Sequence, residues 1–322
     1  MSITIGPGGF FSSGLEEPDY EQRGVVQRVK PGAAGLEGAL FVEGFSMCGV
    51  EFHLQNLFKE RWPAGCAMHL TTWQPDHPER LSALLDANRF QLIVLAAKTG
   101  DWKYEYQDSK AQYRRLKPKL DALDASLKAA VERKGATLVL FCAEMASAIY
   151  QGLFGRPWEE GCYVRTSCFR TSAAAAVLPA GAPAEINAKS IHLKHVPESE
   201  AWYATTPGSA NNSLLERPDL QPGLASIAAG AAGAGRVVFC GDVNAESGTC
   251  RVVAQLAHAM FGGRPRPAQP QPQQPLGPCC AACGACGEGT QLLRCARCQS
   301  VVYCSKACQR DDWSTHKRSC GR

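Results

Sequence analysis

Apolar positions along the first 260 residues fall into two alternating periods. Four short runs are almost continuously apolar: Ala39-Leu-Phe-Val42, Gln91-Leu-Ile-Val-Leu-Ala-Ala97, Ala136-Thr-Leu-Val-Leu-Phe-Cys142 and Arg236-Val-Val-Phe-Cys240. Their length and aliphatic content predict strands buried on both faces. Cys66 to Trp73 alternates weakly and predicts a further strand. Between these runs the period changes to that of a helix. Pro78 opens a stretch with Leu81, Leu84 and Leu85 on one face. Leu116, Leu120, Leu123, Leu127, Ala130 and Val131 predict a helix over 116–134 that Gly135 stops. A third helical stretch, 249–260, follows the last strand. Strand 91–97, its helix and strand 136–142 form a β-α-β unit, which implies parallel pairing. Residues 155–235 are less regular, with possible strands at 162–169 and 191–196 among Pro, Ala and Gly-rich turns. The expected architecture is an α/β domain over residues 1–261, a mostly parallel sheet with flanking helices on both faces.

The pattern breaks at residues 262–278, GGRPRPAQPQPQQPLGP. This composition cannot build a core and predicts an extended linker. It divides two unlike regions: nine of the 16 cysteines lie beyond it, in residues 279–322. Charge divides in the same way. Overall there are 34 basic and 30 acidic residues, and the surplus of four sits entirely in the cysteine-rich tail. A balanced main body argues against a nucleic-acid or acidic-membrane partner. The Gly/Ala-rich run 224–243 contains Arg236 and is too weakly apolar for a membrane span. Met1 to Pro7 has neither a basic start nor an apolar core, so no secretory signal is expected. An intracellular chain, cytoplasmic or nuclear, follows. Thiols stay reduced there, and a cysteine cluster then reads as a metal site before it reads as disulfides or a redox centre.

The spacing of the tail fits that reading. Cys283-x2-Cys286 and Cys295-x2-Cys298 are followed by Cys304-x3-Cys308 and His316-x3-Cys320. Four pairs give eight ligands, enough for two four-coordinate zinc ions with no open position, hence structural Zn2+. The x2 pairs suit tight turns. The x3 pairs share a helix face, so two short helices are expected, with Asp311 or Asp312 capping the second. Few apolar residues are available (Leu292, Leu293, Val301, Val302, Tyr303 and Trp313). Metal binding must therefore supply most of the folding free energy, roughly 10–16 kcal/mol per structural zinc. Two zinc ions and seven thiolates bring the tail's net charge to about +1, which removes the apparent affinity for nucleic acid. Cys280-x2-Cys283 has ligand spacing too, so Cys280 could displace Cys286. The distance from Cys286-Gly287 to Leu293-Arg294-Cys295 favours the pair Cys283/Cys286.

With Val301-Val-Tyr-Cys-Ser-Lys-x-Cys-Gln309 and Asp312-Trp-x-x-His-Lys-x-x-Cys320 between and after these pairs, residues 283–320 resemble a MYND-type zinc finger throughout. The resemblance implies an interleaved arrangement: Cys283, Cys286, Cys304 and Cys308 around one zinc, Cys295, Cys298, His316 and Cys320 around the other. Spacing alone leaves sequential pairing open. The family's fingers bind proteins, often Pro- and Leu-containing peptides. That implies protein or peptide partners, received here near Gln309 and Trp313. Many MYND proteins also carry a SET methyltransferase domain, but its Asn-His-Ser-Cys-like and Gly-Glu-Glu-Leu-like blocks are absent from this chain.

The α/β domain offers weaker chemistry. Carboxyl ends of predicted strands carry Lys98 and Asp101, Cys142 and Glu144, and Asp242, Asn244 and Glu246, where open α/β sheets bind ligands. Cys142-Ala-Glu-Met, at a strand-to-helix junction, faintly resembles the nucleophile position of class I glutamine amidotransferase-like folds. Leu140 and Glu144 stand where that family places glycines. The resemblance implies a hydrolase or amidotransferase-like enzyme with Cys142 as the candidate nucleophile, targeted to partners by the finger. The other reading is a buried cysteine ending a strand in a scaffold. His192 and His195, three apart on a strand, are expected on opposite faces and not on one metal.

Overall fold

The computed structural model of the chain describes residues 26–30, 32–43, 50–63, 65–74, 76–96, 110–141, 143, 146–212, 220–261, 280, 292–298, 301–317 and 320. It forms two compact units, 1–263 and 264–322. The predicted linker 262–278 lies outside the described residues.

In the larger unit, strands β1 (Gln27–Arg28), β2 (Glu37–Glu43), β3 (Met68–Thr72), β4 (Arg89–Ala96), β5 (Thr137–Phe141), β6 (Glu159–Arg170), β7 (Glu185–Lys194), β8 (Ala201–Ala204), β9 (Ala225–Ala232) and β10 (Gly235–Cys240) join one sheet. Their order is β1-β3-β2-β4-β5-β10-β9-β7-β6-β8, and β9 also pairs with β8. The central strands carry near-continuous apolar runs because both faces are covered. Ile93, Leu95, Leu138, Leu140, Val237 and Phe239 pack on one side with Leu81, Leu84 and Leu85 of α2 (Pro78–Ala87). Leu116, Leu120, Leu123 and Leu127 of α3 (Lys110–Glu132) join them. Leu92, Val94, Val139, Phe141, Val238 and Cys240 pack on the other, with Leu54, Leu57 and Phe58 of α1 (Val50–Lys59) and Val252, Val253 and Leu256 of the C-terminal helix Ser247–Met260. A four-residue helix, α4 (Ser172–Ala175), and a π-helical turn at Ala148–Leu153 lie between β5 and β7; the C-terminal helix is α5.

The expectation of a mostly parallel sheet is overturned. The predicted β4–α3–β5 unit is parallel, Leu92 to Leu95 pairing with Thr137 to Leu140. Parallel pairing runs from β1 as far as β10. Beyond β10 every pairing among the described residues is antiparallel: β10 with β9, β9 with β7 and β8, β6 with β7 and β8. Strands β6, β7, β9 and β8 thus pair round a ring and close into a small antiparallel barrel. The sheet is mixed, with half its pairings of each kind. The cause is an excursion of the chain. β5 and β10 lie side by side in the sheet, and all the barrel strands fall between them in sequence. The barrel returns to the sheet through a tight β9–β10 hairpin, whose Gly233 has φ +57°. A side chain there would meet Glu132 O at 2.6 Å, so glycine is required on both counts.

The smaller unit is built on little. β11 (Leu293–Arg294) and β12 (Val302–Tyr303) form an antiparallel hairpin, followed by α6 (Lys306–His316). Its buried cluster comprises Cys280, Cys295, Tyr303 and Cys320, with Leu292 and Val301 packed against them. Where two short helices were expected, one helix carries both Cys308 and His316. Ser305 begins it, its Oγ accepting the backbone N–H of Cys308 at 3.2 Å, in the manner of an N-cap. Asp312 is not a cap: its Oδ2 accepts from the Tyr303 hydroxyl at 2.9 Å.

Candidate metal centre

Tight elements place the described donors from Cys295 to Cys320. Cys295 leaves β11 and its N–H donates to Val301 O at 2.9 Å, which closes the turn holding Cys298. Cys304 follows β12, Cys308 lies in the first turn of α6, and His316 in its last. Cys320 is tied back by its N–H to His316 O, also 2.9 Å. The result is two clusters. Cys295, Cys298, His316 and Cys320 present donor atoms within 4.8 Å of one another, and so do Cys280, Cys304 and Cys308. Among the described residues, Cys295 and Cys298 thus group with His316 and Cys320, and Cys304 and Cys308 with Cys280.

The donor geometry fits zinc. A tetrahedron with Zn–S near 2.3 Å has edges of about 3.8 Å. Cys295 and Cys320 sulfurs are 3.8 Å apart, Cys304 and Cys308 sulfurs 3.5 Å, and Cys298 Sγ lies 3.4 Å from His316 Nε2. Electrostatics agree. Backbone N–H groups of Cys298 and Arg297 point at Cys295 and bring its thiol down to about 6, so the thiolate a metal needs is favoured in place. Burial, and then hydrogen bonds with Cys295 and Cys298, pushes the Cys320 thiol up to about 11. A divalent cation among the sulfurs reverses that penalty. Tyr303 is wholly buried beside the site, its ring edge-on to His316 at 6.2 Å. Trp313 packs on His316 in the same manner at 5.9 Å.

The presence of Cys280 in the first cluster is the main departure from the sequence reading, which favoured Cys283 with Cys286. Both of those residues lie outside the described residues. The Cys280-x2-Cys283 spacing had already marked Cys280 as the alternative ligand. Gln309 and Trp313 share the outer face of α6 with Lys306 and Arg310, and the four line a shallow groove of about 550 Å³. The two cations were missed, although they sit three and seven residues before Trp313, on the same stripe of a helix.

In the larger unit, Cys142 and Glu144, like Lys98 and Asp101, lie outside the described residues. The third carboxyl-edge group is described and is structural. Asp242, buried, accepts the backbone N–H groups of Asn244 at 2.9 Å and Glu246 at 2.7 Å, shaping the turn into α5. Glu246 holds Arg165 through two bonds of 2.6 and 2.8 Å. His192 is fully buried, with Nε2 3.5 Å from Cys168 Sγ, while His195 projects outward with φ +58°. The two histidines do not meet. Burial pushes the Cys168 thiol up to about 11 and His192 down to about 4. Both are neutral at pH 7, so the pair is not an ionised catalytic dyad.

Comparison with known proteins agrees with the geometry at one end of the chain only. Residues 280–320 match the family model of the MYND finger. No curated protein matches the chain. Among solved structures, the cytoplasmic protein STM1381 from Salmonella typhimurium LT2 is similar at 11% identity and TM-score 0.43, over 70% of this chain and 99% of that one. Gan42B, a GH42 beta-galactosidase, is similar at 13% identity and TM-score 0.40, over 72% of this chain and 31% of that one. At such similarity neither bears on fold or activity, and the faint amidotransferase resemblance gains no support. Among the described residues no helix is long and apolar enough to cross a membrane. The cysteine-rich C-terminal segment, with its interleaved Cys/His clusters, is a MYND zinc finger that binds two structural zinc ions.

Proposed function

We propose that the chain is an intracellular protein-interaction factor whose zinc-held finger captures Pro- and Leu-containing peptides in the groove beside Gln309 and Trp313. One zinc is held by Cys280, Cys283, Cys304 and Cys308, with Cys283 completing the set in place of Cys286, and the other by Cys295, Cys298, His316 and Cys320. Closed four-ligand sites leave no position for a substrate, so the metal's role is to shape a surface. The observation that carries the reading is Trp313. It keeps 38% of its surface exposed in a unit with almost no apolar residues to spare, and its ring is braced against a zinc ligand. An exposed indole in a groove is the usual anchor for an apolar peptide residue. Gln309 at its side offers an amide donor and acceptor to the peptide backbone. Isothermal titration of the zinc-loaded full chain with a Pro-x-Leu-x-Pro peptide tests this. Trp313→Ala is expected to weaken binding at least tenfold, about 1.4 kcal/mol, with zinc content unchanged. Equal affinity in the variant would refute the groove.

A further inference from the structure

We propose that the peptide recognised by this groove is acidic, an extended Pro/Leu segment with Asp or Glu flanking its apolar residues. This rests on the reading above and adds the charge of the ligand. α6 has two faces. Cys308, Asp312 and His316, four apart, serve the interior: the first lies in one metal cluster, the second accepts from Tyr303, and the third lies in the other cluster. Lys306, Gln309, Arg310 and Trp313 form the second stripe and line the groove. Two of these four are cations. Among the described residues, neither Lys306 nor Arg310 has a carboxylate partner, and Asp312 is committed to the Tyr303 hydroxyl. Cations that pair with no described carboxylate, one on each side of Gln309 and within two helical turns of an exposed indole, create a positive rim around an apolar anchor. A peptide with carboxylates on either side of its apolar residue complements both parts. A basic peptide meets like charge at the same two places. The rim contacts stay solvated, so each is weak and screened by salt. Their effect is a ranking among peptides that share one apolar core.

Fluorescence anisotropy of the zinc-loaded full chain with three labelled peptides reads that ranking. The peptides share a Pro-x-Leu-x-Pro core and carry Glu, Ser or Lys flanks. At low salt the Glu peptide is expected to bind about three- to tenfold tighter than the Ser peptide, and the Lys peptide weakest. The three are expected to converge at about 0.5 M salt. Lys306→Glu/Arg310→Glu, with zinc content unchanged, is expected to invert the order. Three equal affinities would overturn the acidic preference and leave the Pro/Leu groove standing. No binding by any of the three would remove both. Displacement of the Glu peptide by a single-stranded oligonucleotide at equal phosphate concentration would also overturn the proposal, in favour of a general anion surface.

Discussion

The two units of this chain reach a defined fold by opposite routes. The larger has apolar strands between helices on both faces, and its interior holds whole side chains such as Trp158, Trp202, Tyr203, Phe141 and Phe239. Its fold is a property of burial. Among its described residues the finger has one large wholly buried side chain, Tyr303, beside three buried cysteines and a buried histidine. Its fold is a property of coordination. Cys308 and His316 sit on one helix, eight residues and about 12 Å apart along its axis, so a single rigid element carries a donor to each cluster. The sites are thereby mechanically linked, so that filling one favours the shape of the other.

Chelation separates the two routes most sharply. Stripping zinc removes roughly 10–16 kcal/mol per site from the finger and nothing from the larger unit. Hydrogen exchange is expected to lose protection throughout α6 and the β11–β12 hairpin, and to keep it in β5 and β10. Persisting protection in α6 after verified metal loss would show that the finger is not built by coordination. A single-residue version sharpens the point. Cys280→Ser is expected to drop bound zinc from two to one or none by native mass spectrometry, while Cys286→Ser keeps two. The reverse result would restore the ligand pair that sequence spacing favoured.

The converse perturbation attacks burial and leaves coordination alone. Phe239, wholly buried against Tyr150 at 5.6 Å between ring centroids, is expected to cost about 3–5 kcal/mol on replacement by Ala. Urea unfolding of the larger unit reads that loss, with two zinc ions still bound per chain. Zinc release in Phe239→Ala would mean that the finger depends on the larger unit's core.

What was legible in the sequence follows the same division. Ligand identity and spacing are written into the chain residue by residue, so the finger's family could be read directly, whereas the grouping of its ligands came from the family resemblance and not from spacing. The register of the first pair could not, because Cys280, Cys283 and Cys286 repeat one spacing and only packing chooses among them. In the larger unit, β2, β4, β5 and β10 announce themselves as aliphatic runs because two helix layers cover them. β9, Ala-Ser-Ile-Ala-Ala-Gly-Ala-Ala, does not. Its small residues have poor strand propensity, and only tertiary crowding explains them. A Cβ on Gly230 would lie 2.6 Å from Arg156 Nη1, a guanidinium held in turn by Glu200 at 2.9 Å. The Gly233-Ala234 pair was the available hairpin signal, and with it the antiparallel half of the sheet. One strand hidden in a Gly/Ala run was enough to turn a mixed sheet into an apparently parallel one.

Acidification gives the smallest and most selective test of the burial route. His192 has no solvent contact, and burial brings its pKa down to about 4, while in the unfolded chain it titrates near 6.5. Below about pH 6.5 the unfolded state binds a proton that the folded state refuses. Stability is therefore lost as pH falls from about 6.5 towards 4, by at most about 3 kcal/mol. Asp242 acts with the opposite sign. Burial raises its carboxyl above the usual range, so the folded state takes up that proton first and part of the loss is recovered at the acid end. Subtracting a variant isolates the histidine. His192→Gln keeps an amide to meet Cys162 O, which lies 3.3 Å from His192 Nδ1, and removes the titration along with the Cys168 contact, whose loss is independent of pH over this range. Measured on chelated chains, so that protons do not compete with zinc for the thiolates, urea unfolding of wild type and variant is expected to differ by a pH-dependent amount that grows below about pH 6.5 and levels off near 4. A difference that stays flat across that window would mean that the barrel admits water to His192, and that the larger unit is less completely sealed than its packing implies.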